Sequence, residues 1–226
     1  MKIAVLGTGT VGQALAGRLA GLGHDVTMGT RSPEETLART GPDAMGNPPL
    51  ATWLEQNPGV RLAGFADATA GADLVVNATV GHASLAALAA AGADHLTGTV
   101  VLDIANPLDF SQGMPPSLFV KDTDSLAEQI QAAFPGAKVV KALNTLSAHL
   151  MVEPAQLAGG DHTVFVSGDD ADAKAVVTAL LKDFGHTDVI DLGDITTARG
   201  TEMLLPVWLR LWGALGTPTF NVKIVR

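Results

Sequence analysis

Gly7, Gly9 and Gly12 stand at the spacing G-x-G-x-x-G, within Gly7-Thr8-Gly9-Thr10-Val11-Gly12. Glycines so spaced can bring main-chain N–H groups against a phosphate. Gly7 permits a tight turn, Gly9 leaves the backbone open to a pyrophosphate, and Gly12 lets a helix sit close to the preceding strand. The pattern alone is weak. Here it follows the apolar run 2–6 and precedes a helix-like stretch, 13–22, and a second apolar run, 25–29. Strand, glycine turn, helix and strand together predict a dinucleotide site. An NAD site usually carries an Asp or Glu about 20 residues past the glycines, on the ribose hydroxyls. That position reads Gly29-Thr30-Arg31-Ser32, with no carboxylate. Thr30 and Ser32 offer hydroxyls, and Arg31 offers a planar cationic fork suited to a 2′-phosphate. The pattern predicts NADP. Glu34 and Glu35 follow Pro33 and fit the first turn of a helix.

In an open α/β sheet, ligands lie beyond the carboxyl ends of the strands. The remaining strand ends read Asn77-Ala78-Thr79, Ala105-Asn106-Pro107 and Asn144-Thr145-Leu146. They are small or amide-bearing, and none is a strong acid, base or nucleophile. Direct hydride transfer between two bound molecules needs orientation and exclusion of water more than a proton donor. Tyr is absent, which excludes short-chain-dehydrogenase chemistry with a Tyr acid. The six histidines show no metal-ligand spacing. His82 sits where a strand passes into its helix, near the expected nicotinamide end; it is either a ligand contact or a helix residue bonded to backbone. His149 follows the Asn144 turn as a ring contact or a surface residue. Arg199 and Glu202 are expected to pair with each other. Trp208 and Trp212, four apart on a helix, are expected to pack in a core or interface.

The elements that must position these residues alternate along the chain. Strands are predicted at 60–65, 73–77, 99–103, 138–143, 163–167 and 187–191, and helical segments at 51–56, 66–72, 84–92, 125–134, 169–184 and 200–215. The helix 169–184 has an apolar stripe of Ala173, Val176, Val177, Leu180 and Leu181. Residues 41–58 are rich in Pro and Gly, and 220–225 read as extended. The fold class is α/β: a Rossmann-type doubly wound parallel sheet with a small C-terminal α/β appendage. The expected division is an NADP-binding domain over 1–152 and a small part over 153–226 for second-cofactor binding and dimerisation.

Composition narrows the function classes. The chain has 226 residues, a net charge of −9 and a pI of about 4.9, which argues against nucleic acid as a partner. The absence of Cys excludes disulfides, thiolate catalysis and Fe–S clusters. No run approaches the ~20 apolar residues of a bilayer span, and the first segment resembles a core strand rather than a signal peptide. The expectation is a cytoplasmic protein with no membrane partner. Residues 203–212 are apolar nearly all round, so the helix there is expected to be buried on two sides, one of them in a two-fold homodimer. Enclosure of that helix within its own chain is the competing expectation.

The chain resembles the F420-dependent NADP oxidoreductase family. The resemblance is carried by 2–12, by Gly29-Thr30-Arg31-Ser32, by 139–146, by Phe165-Val166-Ser167-Gly168-Asp169-Asp170, and by 191–199, and so covers nearly the whole chain. The same segments resemble the cytosolic oxidoreductase domain of STEAP metalloreductases, which use NADPH and flavin. The resemblance implies reversible hydride transfer between NADP(H) and coenzyme F420. It implies that Leu146 and its neighbours border the nicotinamide, with the deazaflavin between the main sheet and the C-terminal part. Asn144 departs from an archaeal pattern with His, and His149 from the STEAP pattern with Trp. The cofactor contacts expected are Gly7, Thr8, Gly9, Thr10, Val11 and Gly12; Thr30, Arg31 and Ser32; Asn77, Ala78, Thr79 and His82; Ala105 and Asn106; and Asn144 and Leu146. No side chain is expected to act as a chemical catalyst and no metal to bind. The alternatives are an NADPH-dependent reductase of FMN, FAD or ferric iron, and a non-catalytic NADP-binding sensor.

Overall fold

The computed structural model describes residues 1–42 and 46–226. Its strands are β1 (Lys2–Leu6), β2 (Asp25–Thr30), β3 (Val60–Gly64), β4 (Leu74–Asn77), β5 (Val100–Asp103), β6 (Leu108–Asp109), β7 (Ser117–Leu118), β8 (Lys138–Ala142), β9 (Thr163–Ser167) and β10 (Asp188–Asp191). Its helices are α1 (Thr10–Gly21), α2 (Pro33–Leu37), α3 (Leu50–Gln56), α4 (Phe65–Thr69), α5 (Ser84–Ala91), α6 (Ala93–Leu96), α7 (Leu126–Ala133), α8 (Ala148–Val152), α9 (Ala171–Phe184), α10 (Ala198–Met203) and α11 (Leu205–Leu215). Among the described residues, eight strands form one sheet in the order β10-β9-β8-β5-β4-β1-β2-β3. The six strands from β3 to β8 are parallel to one another. β9 pairs antiparallel with β8, and β10 parallel with β9. The C-terminal third therefore extends the main sheet. A two-stranded ribbon, β6 with β7, stands apart.

The order departs in both directions from β1, outward to β2 and β3 and outward to β4 and β5. That reversal is the switch point of a Rossmann sheet, and it opens a crevice between the ends of β1 and β4. The strands read as continuous apolar runs because both faces are covered. Alternate residues supply two cores. Ile3 and Val5 of β1 join Leu74, Val76, Leu102 and Val140 on the face packed by α1, α8 and α9. Ala4 and Leu6 join Val75, Val101 and Val139 on the face packed by α5, α6 and α7. The period of two within a strand, not a hydrophobic–polar alternation, decides which core each residue enters.

Local chemistry explains several helix starts. Ser125 accepts from the Glu128 N–H, and Asp170 from the Ala173 N–H, so α7 and α9 begin at polar caps. α9 ends at Gly185, whose φ of 108° is left-handed. Two expectations are corrected. The helix expected over 200–215 is two helices, broken at Leu204. Pro206 lies in the first turn of α11, where its missing N–H costs nothing, whereas a continuous helix would need that N–H. In α9, Val176 is exposed, and the core stripe is Ala173, Val177, Leu180, Leu181 and Phe184. Residues 220–225 form no strand; Asn221 and Val222 instead bond to the backbone of Thr163 at the start of β9.

Candidate functional site

Two cavities meet at the switch point. The first is a cleft of about 680 Å³ over the ends of β1, β2 and β4, lined by Gly7, Thr8, Gly9, Thr30, Arg31, Ser32, Ala78, Thr79 and His82 among others. Its floor is the glycine turn. Gly7 has φ 115°, and a Cβ there would stand 2.5 Å from the Ala78 carbonyl oxygen. A Cβ on Gly12 would stand 2.1 Å from the Gly7 carbonyl oxygen, so this glycine seats the first turn of α1 against the loop. Gly9 is different: a Cβ there would meet nothing within 4 Å. The space over Gly9 is open to a ligand. α1 begins there with no side-chain cap, leaving its first N–H groups for an anion. Gln13 braces the turn by donating to the Thr8 carbonyl at 2.9 Å.

The β2 end is built by α2. Ser32 caps that helix, accepting from the Glu35 N–H at 3.3 Å, and Thr36 donates to the Ser32 carbonyl at 2.8 Å. Thr36 also bonds the Thr30 hydroxyl at 3.0 Å. Among the described residues, neither Arg31 nor Arg39 has an ion-pair or hydrogen-bond partner, and both line the cleft. Glu35, expected only as a helix-turn acid, lines it too. Two arginines face one carboxylate, so this pocket is locally cationic on a chain of net charge −9. That is the balance a phosphate requires.

The second cavity, about 340 Å³, continues from the first through Ala78, Thr79, Val80 and His82. Val11, Ile104, Ala105, Asn106, Asn144, Leu146 and Met151 form its base, and Leu205, Trp208, Leu209 and Trp212 one wall. Leu108, Phe110 and Met114, in and beyond β6, complete it. Gly81 is required here, because a Cβ would stand 2.0 Å from the Asn106 carbonyl oxygen. Asn106 and Asn144 lock each other: Asn106 Nδ2 donates to the Asn144 carbonyl at 2.8 Å, and Asn144 Nδ2 to Asn106 Oδ1 at 3.0 Å. Leu143, just before this lock, is held at φ 61°, a left-handed conformation costly for a bulky residue. The two tryptophans, expected in core or interface packing, face this cavity. Trp208 packs against Trp212 at 5.7 Å and Phe220 at 5.1 Å between ring centroids.

Beneath the second cavity lies a polar network. Lys141 Nζ contacts Asp103 Oδ2 at 2.8 Å, Glu202 Oε1 at 2.8 Å, and the Ala105 carbonyl. Asp103 Oδ1 accepts from Asn77 Nδ2 at 2.7 Å, and Asn77 Oδ1 accepts from the Thr79 hydroxyl at 2.7 Å. Lys141, Asp103 and Glu202 are fully buried. Burial alone would push the Lys141 ammonium down, but Asp103 and Glu202 outweigh it and hold its pKa above the ordinary lysine value. The expected Arg199–Glu202 pair does not form. Arg199 grips Glu128 instead, with contacts of 2.8 and 2.5 Å. Glu202 turns inward to Lys141 and accepts the N–H groups of Leu126 and Ala127 at the start of α7.

Most expected site residues thus converge on the two cavities. Thr10, Gly12 and Asn77 do not line either one. The Thr10 hydroxyl accepts from Asn47 at 2.6 Å, Gly12 lies under the turn, and Asn77 is buried beneath Thr79. His82 is exposed at the join of the cavities, with no hydrogen bond among the described residues. His149 lies outside both, and its Nε2 is 3.3 Å from the Thr219 hydroxyl. Sequence reasoning missed Arg39, the aromatic wall and the buried triad. The triad's charged residues, 103 and 141 on strands and 202 on a helix, carry no local signal of meeting.

The sheet and its switch point define a protein of the Rossmann class, in which dinucleotides bind beyond the carboxyl ends of the strands. The family described as "NADP oxidoreductase coenzyme F420-dependent" matches residues 2–107. A protein of solved structure from Arthrobacter sp. FB24, provisionally described as an F420-dependent NADP-reductase, is 67% identical, with each chain wholly covered and a TM-score of 0.96. The F420-dependent NADP reductase of Methanothermobacter thermautotrophicus is 28% identical over 93% of this chain and 89% of its own. The rat metalloreductase STEAP3 is 29% identical over 92% of this chain, which spans only 38% of that relative's length. The chain belongs to the F420-dependent NADP oxidoreductase family and is an enzyme of NADP-linked oxidoreduction. Among the described residues, no helix is long and apolar enough to cross a membrane.

Proposed function

We propose that this chain transfers a hydride reversibly between NADP(H) and coenzyme F420, both as substrates. The observation that carries the reading is the second cavity, apolar and aromatic-walled, opening directly from the dinucleotide cleft. The glycine turn and α1 N-terminus would hold the pyrophosphate. Thr30, Arg31 and Ser32 would hold the 2′-phosphate, and the second cavity the nicotinamide with the deazaflavin beside it. Hydride passes between the nicotinamide C4 and the deazaflavin C5. The side chains need only stack the rings, align them and exclude water. His82 is the one titratable side chain lining the second cavity among the described residues, which suits transfer without a general acid.

The test is isotopic. NADPH deuterated at the transferred position is expected to pass its label to C5 of F420. Loss of the label to solvent would contradict direct transfer. FMN and FAD run as parallel acceptors; faster reduction of either would favour a flavin reductase.

A Gly9→Val variant separates binding from folding. Gly9 has φ −79° and open space where the side chain would go, so the fold tolerates valine. The added side chain fills the pyrophosphate site. The variant is expected to keep its melting temperature within a few degrees and to lose measurable NADPH binding. Tight binding by the folded variant would move the phosphate site elsewhere.

The assembly expected is a homodimer through α11. That helix buries Leu205 and Leu209 and turns Trp208 and Trp212 to the cavity. Its other side exposes Val207 (54%), Leu211 (38%) and Leu215 (56%), four residues apart and so one stripe, with exposed Met203 (37%) just before it at the end of α10. The helix is not enclosed by its own chain, and an apolar stripe of this kind marks an interaction surface. Sedimentation at micromolar concentration is expected to show a dimer, and Leu211→Asp a monomer. A strictly monomeric native chain would refute the assembly.

A further inference from the structure

The proposed reaction leaves the buried triad unassigned. Lys141 carries one positive charge and faces two carboxylates, Asp103 and Glu202, all removed from solvent. The sum is −1. The ion pair of Arg199 with Glu128, the residue after Ala127, cancels itself. The N–H groups of Leu126 and Ala127 offset part of the Glu202 charge but supply no full countercharge.

This charge backs the wall of the second cavity. Asp103 Oδ1 accepts from the N–H of Ala105 at 3.3 Å, and Lys141 donates to the Ala105 carbonyl. Ala105 lines the cavity. Asn144, also in the lining, donates at 3.1 Å to the carbonyl of Thr201, the residue before Glu202. A nicotinamide ring is cationic when oxidised and neutral when reduced. A fixed buried charge nearby therefore acts on one redox state and not the other, and low local polarity strengthens it.

We propose that Asp103, Lys141 and Glu202 are positioning residues that select redox state, their net negative charge favouring bound NADP⁺ over bound NADPH. The inference rests on the reading that the nicotinamide occupies the second cavity. Its consequence is that bound NADPH is a stronger hydride donor than free NADPH.

The test titrates NADP⁺ and NADPH separately into Glu202→Gln and Asp103→Asn, following tryptophan fluorescence. Each substitution keeps the side-chain shape and brings the triad to zero charge. The ratio Kd(NADP⁺)/Kd(NADPH) is expected to rise about 3- to 10-fold over the native protein. Tenfold corresponds to about 30 mV in the bound two-electron couple. The double variant Lys141→Met/Glu202→Gln restores a sum of −1 and is expected to keep the native ratio. It also supplies the measurement should a single variant fail to fold. A purely structural triad would change both dissociation constants by the same factor, and that result, or a shifted ratio in the double variant, would overturn the proposal. Failure of the underlying reading looks different: nucleotides would bind the native protein by calorimetry without changing the fluorescence of Trp208 and Trp212, which line the second cavity.

Discussion

Lys141→Met is expected to destabilise the protein by about 3–5 kcal/mol, because it leaves two buried carboxylates without their cation. A domain of this size is stable by roughly 5–15 kcal/mol in total, so the loss is a large fraction. At about 2–4 °C per kcal/mol, the melting temperature should fall by roughly 6–20 °C. The loss is not of packing, since methionine fills nearly the same volume. It comes from Asp103, which keeps its bonds from Asn77 and Ala105, and from Glu202, which keeps those from Leu126 and Ala127, both now facing uncompensated charge. Removing one carboxylate as well should recover part of the stability. The pH dependence follows from the raised folded-state pKa of Lys141. The folded protein holds this proton more tightly than the unfolded chain. The contribution is thus complete below the unfolded value of about 10.5 and is lost as pH rises through the folded value. Native unfolding should steepen with alkalinity above about pH 10.5, and Lys141→Met should lack that component. A variant within about 1 kcal/mol of the native protein would mean the carboxylates relax to solvent or take up protons at little cost.

The parts of this architecture legible in the sequence are those written in short-range patterns. The glycine spacing, the apolar strand runs and the helical period over 125–134 are local, and the strands lie within about a residue of where periodicity puts them. Strand ends at a switch point converge by topology, so Ala78, Thr79, Ala105, Asn106, Asn144 and Leu146 could be named before their distances were known. What was not legible depends on long-range geometry. Nothing near Glu202 shows that it turns to Lys141, 61 positions earlier, rather than to Arg199 three residues before it. The ribbon of β6 and β7 has two residues in each strand, too few for a period. Trp208 and Trp212 are four apart on a helical face, which suits core or interface packing, and only the tertiary placement of α11 sets them on the same cavity as Ile104, Ala105 and Asn144. That α9 and its strands extend the main sheet was equally hidden, because strand pairing across β8 leaves no mark in the sequence of β9.

Arg31→Ala is expected to raise the NADPH dissociation constant about 10- to 150-fold, from the loss of a charge-assisted contact worth roughly 1.5–3 kcal/mol. NADH lacks the 2′-phosphate, so its affinity should be nearly unchanged. Arg31 is exposed and has no competing partner among the described residues, so its removal should not disturb the fold. The same pocket holds Arg39, which gives the prediction a second part. Arg39→Ala should weaken NADPH in the same direction but less, because Arg39 lies beyond α2 and Arg31 directly follows β2. The double variant should bring NADPH to the affinity of NADH. Glu35 supplies the counter-test. It is the one carboxylate lining the cleft among the described residues, and Glu35→Gln should tighten NADPH slightly by removing repulsion. A ribose ligand of the NAD type would do the opposite, and its loss would weaken NADH. Calorimetric titration of both nucleotides into the native protein and these variants decides the matter. Equal native affinity for NADPH and NADH would remove the basis for a phosphate site at Thr30-Arg31-Ser32. A strong loss of NADH binding in Glu35→Gln would place the nucleotide's ribose on the carboxylate instead.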